Sequence, residues 1–79
     1  MHDFMIPKVG MGITEVGIIE WRVSVGDRVK KNDPVVEIET EKAVVVLESD
    51  VSGLVKEILF QNEDLVDVGS VICRIDEDQ

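Results

Sequence analysis

Residues 35–48 read Val35-Val36-Glu37-Ile38-Glu39-Thr40-Glu41-Lys42-Ala43-Val44-Val45-Val46-Leu47-Glu48, and this stretch decides the fold. Each flank is a short run rich in β-branched residues, Val35 to Glu39 and Val44 to Glu48. Such side chains are stiff at χ1 and suit a pleated surface. Only Thr40-Glu41-Lys42-Ala43 separates the runs. A connection so short joins antiparallel neighbours, so the stretch predicts a β-hairpin with Lys42 at its tip.

The same preference runs outward through the chain. Val (15) and Ile (8) fill 23 of 79 positions, against four Leu and one Ala, so apolar helix faces have almost no material. Glycines, prolines and Asx residues are spaced as turn punctuation, and the chain reads as all-β. Upstream, Phe4-Met5-Ile6-Pro7 predicts an edge strand after a frayed Met1-His2-Asp3, with His2 incidental. From Gly17 to Val25 the pattern alternates, with Ile19, Trp21, Val23 and Val25 on one face and Glu20, Arg22 and Ser24 on the other. Gly26-Asp27 turns the chain, and Val29 anchors it. Downstream, Leu54 to Phe60 predicts a strand, Asn62-Glu63-Asp64 a turn, Leu65-Val66 an anchor, and Val71 to Ile75 the closing strand.

The second half resembles the first at an offset of 36. Gly17 meets Gly53, Gly26 meets Asn62, Val29 meets Leu65 and Val35 meets Val71. Two copies are too few for a solenoid, but they suit two sheets related by a pseudo-twofold axis. One pole then carries the hairpin tip and the other the chain ends.

Seventy-nine residues make one small domain. Its core is expected over about residues 5–76, with 77–79 opening a linker. A chain this size cannot wall a large active-site cavity, so a self-sufficient enzyme is not expected. The 17 Asp and Glu against 8 Lys and Arg leave a formal charge of −9. Nucleic acid and anionic membrane surfaces both demand a basic face, and neither is an expected partner. No apolar run approaches the roughly 20 residues of a membrane span, and no signal peptide opens the chain. The 44% hydrophobic content separates the chain from acidic disordered tails.

Cys73 is the single cysteine, within Val71-Ile72-Cys73-Arg74-Ile75, and reads as a small buried hydrophobe. Gly10-x-Gly12 lacks the third glycine and the helix of a phosphate-binding loop. Lys42 is different. It is the only cation between Lys31 and Lys56, among the six acids of the Asp33 to Asp50 stretch. Lysines on hairpins commonly serve solubility and blunt edge pairing. Lysine catalysis wants burial or cationic neighbours, and this one has neither in prospect. A rigid turn can, however, present an ε-amine far from the core, where a modifying enzyme joins a carboxylic cofactor to it as an amide.

From Ile6 to Asp76, about nine-tenths of its length, the chain resembles a lipoyl domain of the acyltransferase component of 2-oxo acid dehydrogenase complexes. The opening Pro7-Lys8-Val9-Gly10-Met11-Gly12-Ile13-Thr14-Glu15 carries the likeness, with Glu20-Trp21 and Gly26-Asp27-x-Val29. So do Glu37-Ile38-Glu39-Thr40-Glu41-Lys42-Ala43, Ser52-Gly53-x-Val55-Lys56-Glu57-Ile58, and Val68-Gly69 through Ile75-Asp76. The resemblance implies a flattened barrel of two four-stranded antiparallel sheets with internal twofold symmetry. It implies lipoic acid as an amide on Lys42, put there by a lipoate ligase or lipoyltransferase. It also implies service to three enzymes: a thiamine-dependent decarboxylase (E1) that acylates the arm, the acyltransferase core (E2) that passes the acyl group to coenzyme A, and a flavoenzyme, dihydrolipoyl dehydrogenase (E3), that reoxidises it. The domain itself would catalyse nothing. Thr40, Glu41 and Ala43, with Met11, Gly12, Ile13, Thr14 and Glu15, would be read by the ligase or decarboxylase, because in the family that loop packs near the lysine turn.

Two positions depart from the pattern. Met11 stands where the family usually has an acid, which bears on partner identity. Glu41 replaces the usual Asp and keeps its charge, so lipoylation is expected to persist. Glu15-Val16, Glu20-Trp21 and Asn62-Glu63-Asp64 lean towards branched-chain oxo acid complexes. An isolated monomer is expected, in the cytoplasm of a prokaryote or the mitochondrial matrix of a eukaryote. Rival readings are a biotinyl carrier, whose lysine methionines typically flank, the longer glycine-cleavage carrier, and a cofactor-free β module docking a basic partner through its acidic tip.

Overall fold

The computed structural model describes residues 1–78, in which the chain forms eight strands and no helix. These are β1 (His2–Met5), β2 (Glu15–Trp21), β3 (Arg28–Val29), β4 (Pro34–Glu39), β5 (Val44–Glu48), β6 (Gly53–Ile58), β7 (Leu65–Asp67) and β8 (Val71–Glu77). They build two four-stranded antiparallel sheets, one ordered β1-β8-β6-β3 and the other β5-β4-β2-β7. The expected hairpin is β4–β5, with Glu39 opposite Val44 at its mouth. Between the sheets Ile6, Val16, Ile18, Val29, Val35, Val36, Ile38, Val55, Val66, Ile72, Cys73 and Ile75 form a closed apolar core.

The internal repeat is present, but its offset is 37. Backbone with positive φ recurs at Gly26 and Glu63, and again at Asn32 and Gly69. Hydrogen bonds recur likewise. The Gly26 N–H donates to Val55 O at 2.8 Å, and the Glu63 N–H to Ile18 O at 2.7 Å. Asp27 caps the Ser24 N–H as Asp64 caps the Gln61 N–H, each at 2.8 Å. The 36-residue alignment expected from the sequence is therefore one residue out. Val29 corresponds to Val66, both buried, and Gly26 to Glu63 rather than Asn62.

The expected alternation over residues 17–25 is corrected for a related reason. The strand begins at Glu15, and its buried residues are Val16 and Ile18. Ile18 opposes Ile38 and Glu20 opposes Glu37, so Ile19 is an extra residue that resets the faces. Trp21 and Val23 pack half-buried against the core, while Val25 is 60% exposed. The Ser24–Asp27 turn has ended the strand by then.

The edges also differ from expectation. His2 is not frayed: it pairs with Ile75, and its Nε2 lies 2.9 Å from Asp50 Oδ1. The strand predicted over Leu54 to Phe60 runs Gly53–Ile58 instead. Glu77 is the last residue of β8, and the Asp78 N–H donates to Ser52 O at 2.8 Å. Ordered structure thus extends beyond the expected 5–76 at both ends, and of the residues assigned to a linker only Gln79 lies outside the described residues. The hairpin mouth adjoins Gly17 and Leu65, whereas the end of β8 adjoins Gly53 and Ser52.

Candidate functional site

Thr40 to Ala43 closes the hairpin with a hydrogen-bonded turn. The Thr40 N–H donates to Ala43 O at 2.8 Å. The Thr40 hydroxyl accepts from the Lys42 N–H at 3.2 Å and the Ala43 N–H at 3.1 Å, and donates to Ala43 O at 3.2 Å. Glu41, Lys42 and Ala43 are all exposed, and among the described residues Lys42 enters no ion pair. The tip is therefore a fixed platform bearing one free cationic amine in water.

Beside it runs an open groove lined by residues 12–17, 39–41 and Leu65. The loop before β2 forms one bank. Its Ile13 N–H donates to Gly10 O at 3.3 Å, and Gly12 takes φ +78°, a conformation in which an L side chain is strained. β2 supplies the floor, with Gly17 between Glu39 on β4 and Leu65 on β7. Glu15, Glu39 and Glu41 give the groove an acidic rim.

The structure thus brings Gly12, Ile13, Thr14 and Glu15 together with Thr40 and Glu41. Met11 projects from the loop into solvent, 91% exposed, and Ala43 faces water at the tip. Thr40 does not share that exposure; among the described residues it is one of two buried polar residues, the other being Ser49. Gly17 and Leu65 were missed by sequence reasoning. Leu65 was assigned as an anchor, yet it is 68% exposed while Val66 is buried. The 37-residue offset is the signal that finds it, since it pairs Leu65 with the exposed Arg28. Cys73 is buried as expected.

Comparison with known proteins identifies the family. The biotin/lipoyl family model, described as biotin-requiring enzyme, matches residues 2–75. The dihydrolipoyllysine-residue acetyltransferase component of the pyruvate dehydrogenase complex of Corynebacterium glutamicum is 41% identical over 73 residues, covering 92% of this chain and 11% of that protein. Its Staphylococcus aureus counterpart is 38% identical over 74 residues, covering 94% of this chain and 17% of that one. The chain thus spans less than a fifth of either relative. The solution structure of the lipoyl domain of the 2-oxoglutarate dehydrogenase complex from Azotobacter vinelandii superposes over 100% of both chains, with a TM-score of 0.81 and 25% identity. The chain belongs to the biotin/lipoyl carrier family, and it is a lipoyl domain of the kind borne by the acyltransferases of 2-oxo acid dehydrogenase complexes.

Proposed function

We propose that Lys42 is the lipoyl attachment residue and that the domain carries the arm between the active sites of a 2-oxo acid dehydrogenase complex. One observation carries this reading: the tip presents a single exposed, unpaired amine on a hydrogen-bonded turn. The site fits the group, because an amide there needs no cavity and displaces no ion pair. When bound, the lipoyl group would supply a reducible, acyl-accepting disulfide. The protein's part is to hold the arm clear of the core and to be recognised. Ile13, Thr14, Glu15 and Glu41 line the groove beside the tip, and with the exposed Met11 on the same loop they are the residues for a ligase or decarboxylase to read.

The parent chain on this reading is a dihydrolipoyl acyltransferase, served by its decarboxylase, its own catalytic core and dihydrolipoyl dehydrogenase. The relatives described above belong to pyruvate and 2-oxoglutarate complexes, and the branched-chain lean finds no support among them.

Intact mass after incubation with lipoate, ATP and a lipoate–protein ligase tests the assignment. One lipoyl amide is expected on the wild type, on Lys8→Ala and on Lys56→Ala, and none on Lys42→Ala. An adduct that survives Lys42→Ala, or a wild type that takes up only biotin from a biotin ligase, overturns it.

A further inference from the structure

Thr40 was expected to be read directly by a modifying enzyme, but only 9% of it is exposed. Its role lies inward. A hydroxyl has one proton to donate and two lone pairs to accept with, and all three are used within the turn. The proton goes to Ala43 O, and the lone pairs take the N–H groups of Lys42 and Ala43. No other side chain among the described residues bonds the backbone of Glu41, Lys42 or Ala43.

We propose that Thr40 is a positioning residue for cofactor attachment, its buried hydroxyl locking the backbone of Lys42 in the orientation the attaching enzyme requires. The inference rests on the reading that Lys42 is the attachment residue. In that step the ammonium loses a proton, and the amine attacks the acyl carbon of lipoyl adenylate. The acyl–phosphate bond breaks, AMP leaves and the amide forms after loss of a second proton. Nζ must come within about 3–3.5 Å of that carbon. The lysine stem already has four rotors, and a loose backbone beneath it would multiply the wrong approaches. Ordering a loosened turn at encounter costs affinity, so the loss should fall mainly in KM.

The test compares Thr40→Val, which removes the hydroxyl, with Thr40→Ser, which keeps it, using lipoate, ATP and a lipoate–protein ligase. Thr40→Ala replaces the valine variant if circular dichroism shows that variant unfolded. The hydroxyl-less variant should lose at least tenfold in kcat/KM at a temperature where it is fully folded, chiefly through KM. The serine variant should stay within about threefold of wild type. A folded hydroxyl-less variant modified at the wild-type rate, or a serine variant as slow as valine, overturns the proposal. Amide hydrogen exchange on unmodified protein separates the two readings. If wild type takes no lipoyl group, the Lys42 assignment falls. The latch is then judged by whether the Lys42 and Ala43 amides exchange at least tenfold faster in the hydroxyl-less variant, and equal rates overturn it.

Discussion

Cys73 sits on β8 with none of its surface exposed. Burial first, and the charge of Asp50 second, push its thiol from 9.0 to about 11. A thiol held protonated is a poor nucleophile, so a domain built to carry a dithiolane keeps its own sulfur out of exchange with it. The same shift makes stability depend on pH. Above the unfolded value the unfolded chain gives up this proton while the folded chain keeps it, so stability falls as pH rises from about 9 to about 11. Each unit is worth about 1.4 kcal/mol, giving a loss of roughly 2–3 kcal/mol across the window. Urea unfolding at pH 8.5 and pH 11 should show that drop in the wild type. Cys73→Ala, less stable at pH 8.5, should lack this part of the slope. Parallel slopes would show that Cys73 titrates alike in both states.

At the scale of strands, consecutive apolar residues were the hard part of the sequence. Val35-Val36 and Val71-Ile72 look like ordinary steps of an alternating strand. In the structure Pro34 opposes Glu48 and Val36 opposes Leu47, leaving Val35 as an extra residue. Ile72 is extra in the same way, between the Met5–Val71 and Phe4–Cys73 pairs. Each bulge lets two successive side chains face inward, Val35 with Val36 and Ile72 with Cys73. The hairpin and its lysine were legible because two β-branched runs only four residues apart need only local information. The offset was not, because a bulge depends on the partner strand, and an alignment by residue type slips by one at every apolar doublet. The groove shared that fate, since Leu65 is an anchor at offset 36 and a surface residue at 37. The bulge predicts an asymmetry between neighbours. Ile72→Ala empties a fully buried site and should cost roughly 2–4 kcal/mol, whereas Val71→Ala, at a half-buried site, should cost under about 1.5. Equal costs by urea denaturation would mean that Val71 is as deeply buried as Ile72 and that the bulge is misplaced.

The whole molecule is two interlocked copies with one functional tip. Strands β4 and β5 correspond to β8 and β1, yet only the first pair is joined by a turn, so the repeat makes a single hairpin for the lysine. Charge is not copied either. On one sheet Arg74 bridges Asp3 and Glu57, and Arg28 holds Asp78, while on the other Arg22 and Glu37 form the one ion pair among the described residues. Among the described residues, the acids Glu15, Glu39, Glu41 and Asp67 on the face beside the tip enter no ion pair. On the proposed attachment, a neutral lipoyl amide at Lys42 would remove one positive charge, taking the formal −9 to −10. Interlocking has a sharper consequence. Each sheet draws two strands from each half, and the β1–β8, β2–β7 and β3–β6 ladders all cross between halves. A fragment of residues 1–40 keeps only the β2–β4 ladder, and one of residues 41–79 keeps only β6–β8. A two-stranded ribbon is at best marginally stable in water, and each would leave a face of Val and Ile uncovered. Both fragments should therefore give coil-like circular dichroism and collapsed amide spectra on their own. A dispersed amide spectrum from either fragment alone would show that a half-domain buries its own core, and the interlocked account would fail.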